Sequence, residues 1–477
     1  MSSCYTPTSA KELSSTDGTH NVLYVFSISM IASMGGLMFG FDLGIITGVI
    51  RFIEPQFSLG KIQLGWVVAI FELGCMFGAF GVSRFADKYG RLRTMQANAT
   101  LLIISSVGIP FAFGAVDLSI WRFVQGISVG AASVLSPMYI AEISPAASRG
   151  RYIALNQLSI IFGILLATVS AWFFSEKNPV NEILYLMQSQ DWRWMLGSAL
   201  VPSVAFLGLL FLLPETPRWL VKAKRDSDAE KVLKKIGGPN HLAEIKQTLS
   251  ATHSHCRYRD LLAPGLFTAL MIGVGLAVLQ QFCGANNVTT YVQVIFEKAQ
   301  IPLGDGLFKG MFVGLVFFVF TFVAIATIDR LGRRKLMLMG TSLMAIVLFG
   351  LAWAFNQISV LEAAKQDVTS TGRIVFILVL AYIATFAFTL GPVTWVLLAE
   401  IFPNFIREKA LSIASCALWT ATFVVVLITP FLLEFSATFN FILFALLNVI
   451  GFIAVWKWLP ETNGLTLEEM DHLWIKK

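Results

Sequence analysis

The chain has 477 residues, of which 56% belong to the apolar set Ala, Val, Ile, Leu, Met, Phe, Trp, Tyr and Cys and only 13% are charged. That is about half the charged share of soluble proteins, too little polar surface to face water, and it excludes a string of soluble domains. The net charge of +6 invites a nucleic-acid partner, but Lys and Arg crowd alternate loops between apolar runs, which orients a chain in a bilayer instead.

Residues 1–22 are polar and rich in Ser and Thr, with no basic n-region, and read as a cytoplasmic N-terminal tail rather than a signal peptide. Twelve apolar runs follow, at 23–48, 62–83, 95–115, 118–140, 153–174, 194–213, 265–297, 307–328, 336–355, 374–398, 410–430 and 436–458. Most match the roughly 20 residues that cross a bilayer as a helix. Strands of a membrane barrel would be about ten residues long and alternate in polarity, and these runs do neither. The predicted fold class is an all-α membrane protein of twelve transmembrane helices.

Basic residues cluster at 84–93, 149–151, 218–259, 330–335 and 407–409, every second connection. This bias predicts that both termini are cytoplasmic. Residues 216–258 form the one sizeable polar stretch between spans, where Asp226-Ser227-Asp228-Ala229-Glu230 ahead of Val232, Leu233 and Ile236 predicts a capped amphipathic helix. The expected organisation is an N-terminal half over 23–213, a cytoplasmic linker over 214–263, a C-terminal half over 264–458 and a cytoplasmic tail over 459–477. Cys4, Cys75, Cys256, Cys283 and Cys416 fall in spans or on the cytoplasmic side, so no disulfide framework is expected. No metal-ligand spacing and no cofactor motif occurs. His20, His241, His253, His255 and His472 all lie outside the spans, which excludes an intramembrane histidine relay.

Three patterns occur twice in the same order. Asp87-Lys88-Tyr89-Gly90-Arg91 returns as Asp329-Arg330-Leu331-Gly332-Arg333, Glu142 followed by Arg149 returns as Glu400 followed by Arg407, and Leu213-Pro214-Glu215-Thr216 returns as Leu459-Pro460-Glu461-Thr462. Six spans separate the copies, so the repeats are parallel, and two such halves create a binding site between them near the midplane. The repeated charges, with Arg218, are expected to form a cytoplasmic gate, through carboxylate–guanidinium pairs that join the halves when that side is closed.

Together with Gly40-Phe41-Asp42, Arg122-Phe123, Gln125-Gly126, Gln157, Pro214-Glu215-Thr216-Pro217-Arg218, Gln280-Gln281, Asn286, Gly391-Pro392 and Trp395, these patterns resemble the sugar porter family of the major facilitator superfamily. The resemblance implies two parallel six-helix halves that move a monosaccharide or polyol by alternating access. No catalytic constellation points to an enzyme. A passive facilitator and, less favoured, a sugar-sensing receptor are the alternatives; the short loops resemble bacterial members, which implies an inner membrane, and a monomer is expected.

A sugar presents hydroxyls and an apolar face, and amides both donate to and accept from hydroxyls. Gln157, Gln280, Gln281 and Asn286 are therefore the expected substrate contacts, with Trp395 stacking on the sugar ring. Gly284 is expected to loosen the seventh span and Gly391-Pro392 to break the tenth. Thr290, Phe317 and Leu418 stand where the family commonly carries polar groups, so a more apolar site is expected in the second half. Asp42 and Arg122 are charges inside spans, where an ionisable group faces a cavity or a partner. Asp42 is the expected proton carrier and Arg122 its modulator, as in proton-coupled members of the family. Glu72, in the second span, is a further carboxyl to which no role is assigned.

Overall fold

The computed structural model describes residues 21–145, 149–174, 191–236, 242, 243, 245, 246, 261, 263–301, 303–402 and 406–462. Twelve helices in it are long and apolar enough to cross a membrane. They are span 1 (Val22–Gln56), span 2 (Lys61–Tyr89), span 3 (Arg91–Phe111), span 4 (Ala115–Ile143), span 5 (Arg151–Phe173), span 6 (Trp192–Leu210), span 7 (Gly265–Thr290), span 8 (Gly310–Ile328), span 9 (Arg333–Ala363), span 10 (Thr369–Leu398), span 11 (Lys409–Phe435) and span 12 (Ala437–Trp458). Several run beyond the predicted apolar cores. A helix satisfies its own backbone polar groups, so it continues through its polar ends until a turn stops it. Span 1 reaches Gln56 in this way, with Pro55 in its last turn.

Packing repeats with the sequence. Span 1 lies against span 5 as span 7 lies against span 11; span 2 against span 4 as span 8 against span 10; span 3 against span 6 as span 9 against span 12. The halves meet through spans 2 and 11 and, symmetrically, through spans 5 and 8.

Spans 2 and 4 pack along a seam of glycines. A Cβ on Gly74 would stand 2.3 Å from the Phe123 carbonyl oxygen, and one on Gly126 would stand 2.1 Å from that of Phe71. Small residues let helix backbones approach where lipid offers no hydrophobic drive between them.

Two short helices, Pro217–Lys222 and Asp226–Ile236, leave span 6. The second buries Ala229, Val232, Leu233 and Ile236, the apolar face expected from the sequence. Its end is tied to the start of span 1 by the Asn21 amide N–H, which donates to the Ile236 carbonyl at 3.2 Å. The expected N-terminal tail up to residue 20, most of the linker after 236, the five histidines, Cys4, Cys256 and residues 463–477 lie outside the described residues.

Candidate functional site: a central cavity and a buried ion pair

Two breaks in the helices shape the site. Span 7 stops at Phe282, Gly284 takes the left-handed conformation (φ +96°), and a new helix runs Ala285–Thr290. Only glycine adopts that conformation without strain. Span 10 breaks at Thr389 (φ −123°, ψ −95°), between Thr369–Phe388 and Leu390–Glu400. The break falls three residues before Pro392 rather than at Gly391-Pro392, because a proline ring clashes with the carbonyl one turn earlier and removes a donor.

Gln280 reaches the second break: its Nε2 donates to the Gly391 carbonyl at 3.0 Å and lies 3.4 Å from that of Leu390. The amides then form a chain. Gln281 Nε2 donates to Gln280 Oε1 at 3.4 Å, and Asn286 Nδ2 donates to Gln281 Oε1 at 2.6 Å. All three line a central cavity that Gln157 and Trp395 also face, so the expected substrate contacts come together in one place. Part of Gln280's donor capacity is nonetheless spent on the break in span 10.

Sequence reasoning missed part of the wall. Phe39 and Trp419 both line the cavity and meet edge to face across the halves, with ring centroids 5.3 Å apart. Thr47, Thr168 and Thr422 add hydroxyls. The only signal for Trp419 was its place after Leu418; Phe39 lies three residues before Asp42, on a span that is apolar throughout. Phe317 and Leu418 face the cavity and make that wall apolar. The Tyr291 hydroxyl is spent on the Val426 carbonyl, 2.8 Å away.

Behind the wall, Arg122 points both terminal nitrogens at Asp42, each 3.4 Å from a carboxylate oxygen. The two side chains are 2% and 4% exposed. Charge-assisted hydrogen bonds usually lie near 2.7–2.9 Å, so this pair is aligned but long. The Arg122 guanidinium also lies over the Phe71 ring, 5.0 Å from its centroid.

The repeated charges lie on the face that carries the basic loops, called here the basic face. Arg91 bridges Asp87 at 2.9 Å and Glu142 at 3.0 Å. Glu215 accepts from the backbone N–H groups of Arg91 at 3.0 Å and Leu92 at 3.1 Å, and the Thr216 hydroxyl donates to Glu142 at 2.6 Å. The second copy repeats this: Arg333 bridges Glu400 at 3.0 Å, Glu461 accepts from the Arg333 N–H at 2.9 Å, and the Thr462 hydroxyl donates to Glu400 at 2.6 Å. Each of these contacts lies within one half. The expected pairs between the halves concern the state closed on this face, and in the conformation seen Glu142 is held by Arg91. A carboxylate at the first turn of a helix finds unpaired N–H groups there, and this anchors the glutamates inside their own half. Arg218 is exposed, and the side chains of Arg149, Asp329 and Arg407 lie outside the described residues.

Among the described residues, contacts between the halves are found from mid-membrane to the opposite face. Trp66 meets Phe423 with centroids 6.0 Å apart, and a Cβ on Gly65 would stand 2.2 Å from the Leu427 carbonyl oxygen. On the other side of the molecule, Gly314 packs against Leu165 and Thr168.

Known proteins share this architecture. The sequence model of the family described as "Sugar (and other) transporter" matches residues 28–474. A glucose transport protein of Synechocystis sp. is 37% identical over 471 residues, covering 96% of this chain and 99% of that protein. The D-xylose-proton symporter of Escherichia coli (strain K12) is 34% identical over 490 residues, covering 95% and 96%. The arabinose-proton symporter of Bacillus subtilis (strain 168) is 34% identical over 480 residues, covering 99% of each. Among solved structures, the partially occluded inward-open conformation of the E. coli xylose transporter superposes with a TM-score of 0.79 at 33% identity, covering 93% of this chain and 100% of that one. An inward-open structure of the same transporter gives 0.78 at 34%, covering 94% and 100%. With its twelve spans, its duplicated packing and these matches, the chain belongs to the sugar porter family of the major facilitator superfamily and is a membrane transporter, not an enzyme.

Proposed function

We propose that this protein carries a monosaccharide or polyol across the membrane together with a proton, by alternating access to the central cavity. The observation that carries this reading is the long, buried Asp42–Arg122 pair set directly behind a cavity lined by amides and tryptophans. Gln157, Gln280, Gln281 and Asn286 read the hydroxyls, and Trp395 and Trp419 cover the apolar face of the ring. Asp42 is the proton carrier. Arg122 holds the charged carboxylate; when the distance between the two side chains grows during the cycle, the carboxyl takes up the proton.

The xylose and arabinose relatives are named as proton symporters, which supports proton coupling over passive facilitation. By the positive-inside bias, the basic face is cytoplasmic and so are both termini. The halves therefore touch on the outer side, and the conformation is inward-facing. A bacterial inner membrane fits the organisms of these relatives. The duplicated clusters of Asp87, Arg91, Glu142 and Glu215, and of Arg333, Glu400 and Glu461, brace the cytoplasmic ends of each half as they move; Asp329, Arg149, Arg407 and Arg218 complete that gate. Domain limits of 23–213 and 264–458 follow from the duplication. The apolar wall of Phe317 and Leu418 favours a substrate with few hydroxyls on that side. The protein acts as a monomer in this reading.

One proton moving down about 100 mV supplies roughly 2.3 kcal/mol, about a fiftyfold accumulation. The test is uptake of D-glucose, D-xylose, L-arabinose and myo-inositol by proteoliposomes, with and without an imposed proton gradient. Asp42→Asn should keep sugar counterflow and lose uphill accumulation; accumulation undiminished in that variant rejects the assignment.

A further inference from the structure

Glu72 sits midway along span 2, is 4% exposed, and its Oε2 makes no hydrogen bond. It lines the central cavity beside Gln157, Gln280 and Trp419, whereas Asp42 and Arg122 stand behind the wall. The titratable groups in electrostatic contact with it are Asp42 on span 1, Arg122 on span 4, Tyr291 on span 7 and Cys75 on its own helix, and spans 3 and 11, which also pack against span 2, add none. The Tyr291 hydroxyl is bound to the Val426 carbonyl, and a buried thiol or phenol is neutral at physiological pH. The charge count is then two carboxyls against one guanidinium.

Arg122 directs both terminal nitrogens at Asp42. A second negative charge on Glu72 is left without a partner, and an uncompensated buried charge is strongly unfavourable. One proton cancels it. A protonated carboxyl is an O–H donor, and this one stands in the wall that a sugar hydroxyl would meet.

We propose that Glu72 is a second proton site in direct contact with substrate, sharing the coupling proton with Asp42: while Asp42 is paired with Arg122 the proton resides on the Glu72 carboxyl, which donates toward a hydroxyl of the bound sugar. This rests on the symport reading given above. Loss of the proton to the side on which the cavity opens removes the donor and leaves a bare carboxylate facing the sugar, so proton release and sugar release favour each other.

The experiment compares purified wild type, Glu72→Gln and Glu72→Ser. The probe is whichever of D-glucose, D-xylose and L-arabinose the wild type exchanges fastest. Affinity is followed from pH 5.5 to 8.5 by the fluorescence of the cavity tryptophans, and sugar-evoked proton uptake is followed in proteoliposomes. Wild-type affinity should weaken at high pH by about tenfold per unit, the slope of a single linked proton. Glu72→Gln should keep counterflow, lose that pH slope and lose sugar-evoked proton uptake. Should Glu72→Gln fail to fold, the Ser variant is judged by the same criteria. A variant that keeps the wild-type slope and proton-to-sugar ratio overturns the role of Glu72 and leaves symport standing. A wild type that moves sugar with no proton uptake overturns both.

Discussion

Asn286 shows what a single amide does in this cavity. Its Nδ2 donates to Gln281 at 2.6 Å, which leaves its oxygen and one N–H toward the cavity. Gln280, two links further along, already binds the backbone of span 10. The two amides should therefore fail differently. Asn286→Ala should raise the KM for sugar about threefold to tenfold, the worth of one ordinary hydrogen bond, with little change in thermal stability. Transport assays and melting curves on the same preparations check this, and a lowered melting point with unchanged KM would contradict it. Asp42, Arg122 and the amides were legible because polar groups are rare inside spans and each needs a reason. Phe39 was not legible: one more aromatic among the 40 Phe of this chain carries no signal until its neighbours are known.

Among elements, the glycine seam of spans 2 and 4 is tight only on the side that meets the partner helix. A Cβ on Gly126 would lie 2.1 Å from a backbone oxygen that has nowhere to move, while Gly81 of the same seam helix has open space around it. Gly126→Ala should cost about 1–3 kcal/mol of stability by overpacking, and Gly81→Ala should cost nothing measurable. Detergent melting curves discriminate, and equal melting points would refute the seam. The turn between spans 2 and 3 yields a pH prediction. Gly90 has φ +104°, and a Cβ there would meet a Glu215 oxygen at 2.3 Å.

Burial pushes the Glu215 carboxyl up from its ordinary range, against the lowering by the N–H groups of Thr216, Leu92 and Arg91. For a raised carboxyl, the stabilising contribution is full below the ordinary value of 4.5 and is lost as pH rises through the raised one. Wild type should therefore lose a little stability on going from pH 5 to pH 8 that Glu215→Gln, which still accepts from those N–H groups, does not lose. Parallel pH slopes in melting point for the two proteins would count against it.

At the scale of the whole molecule, the contact between halves through Gly65, Trp66, Phe423 and Leu427 defines the conformation. A bulky side chain at Gly65 is incompatible with it, since even a Cβ would lie 2.2 Å from the Leu427 carbonyl. Gly65→Trp should hold that face open and stop exchange, while Gly81→Trp, on the far part of the same helix, should leave exchange running. Cysteine labelling of the cavity from each side of sealed vesicles reads the shift; unchanged labelling together with normal exchange would show that this contact does not define the state.

Composition, the twelve apolar runs and the repeated motifs determined, without coordinates, that this is a duplicated twelve-helix carrier and which polar residues its spans contain. The packing pattern follows the duplication because like sequences bury like faces. What only the tertiary structure decided is where those residues turn. The spans are apolar on every side, since lipid and helix neighbours are equally apolar, so no periodicity marks the face that looks inward. Hence Gln280 going to the break in span 10, Arg91 holding Glu142, Phe39 meeting Trp419, and Glu72 standing in the cavity wall all depend on contacts between helices distant in sequence. Those contacts are set by steric fit and by backbone carbonyls freed at Gly284 and Thr389, neither of which a one-dimensional pattern records.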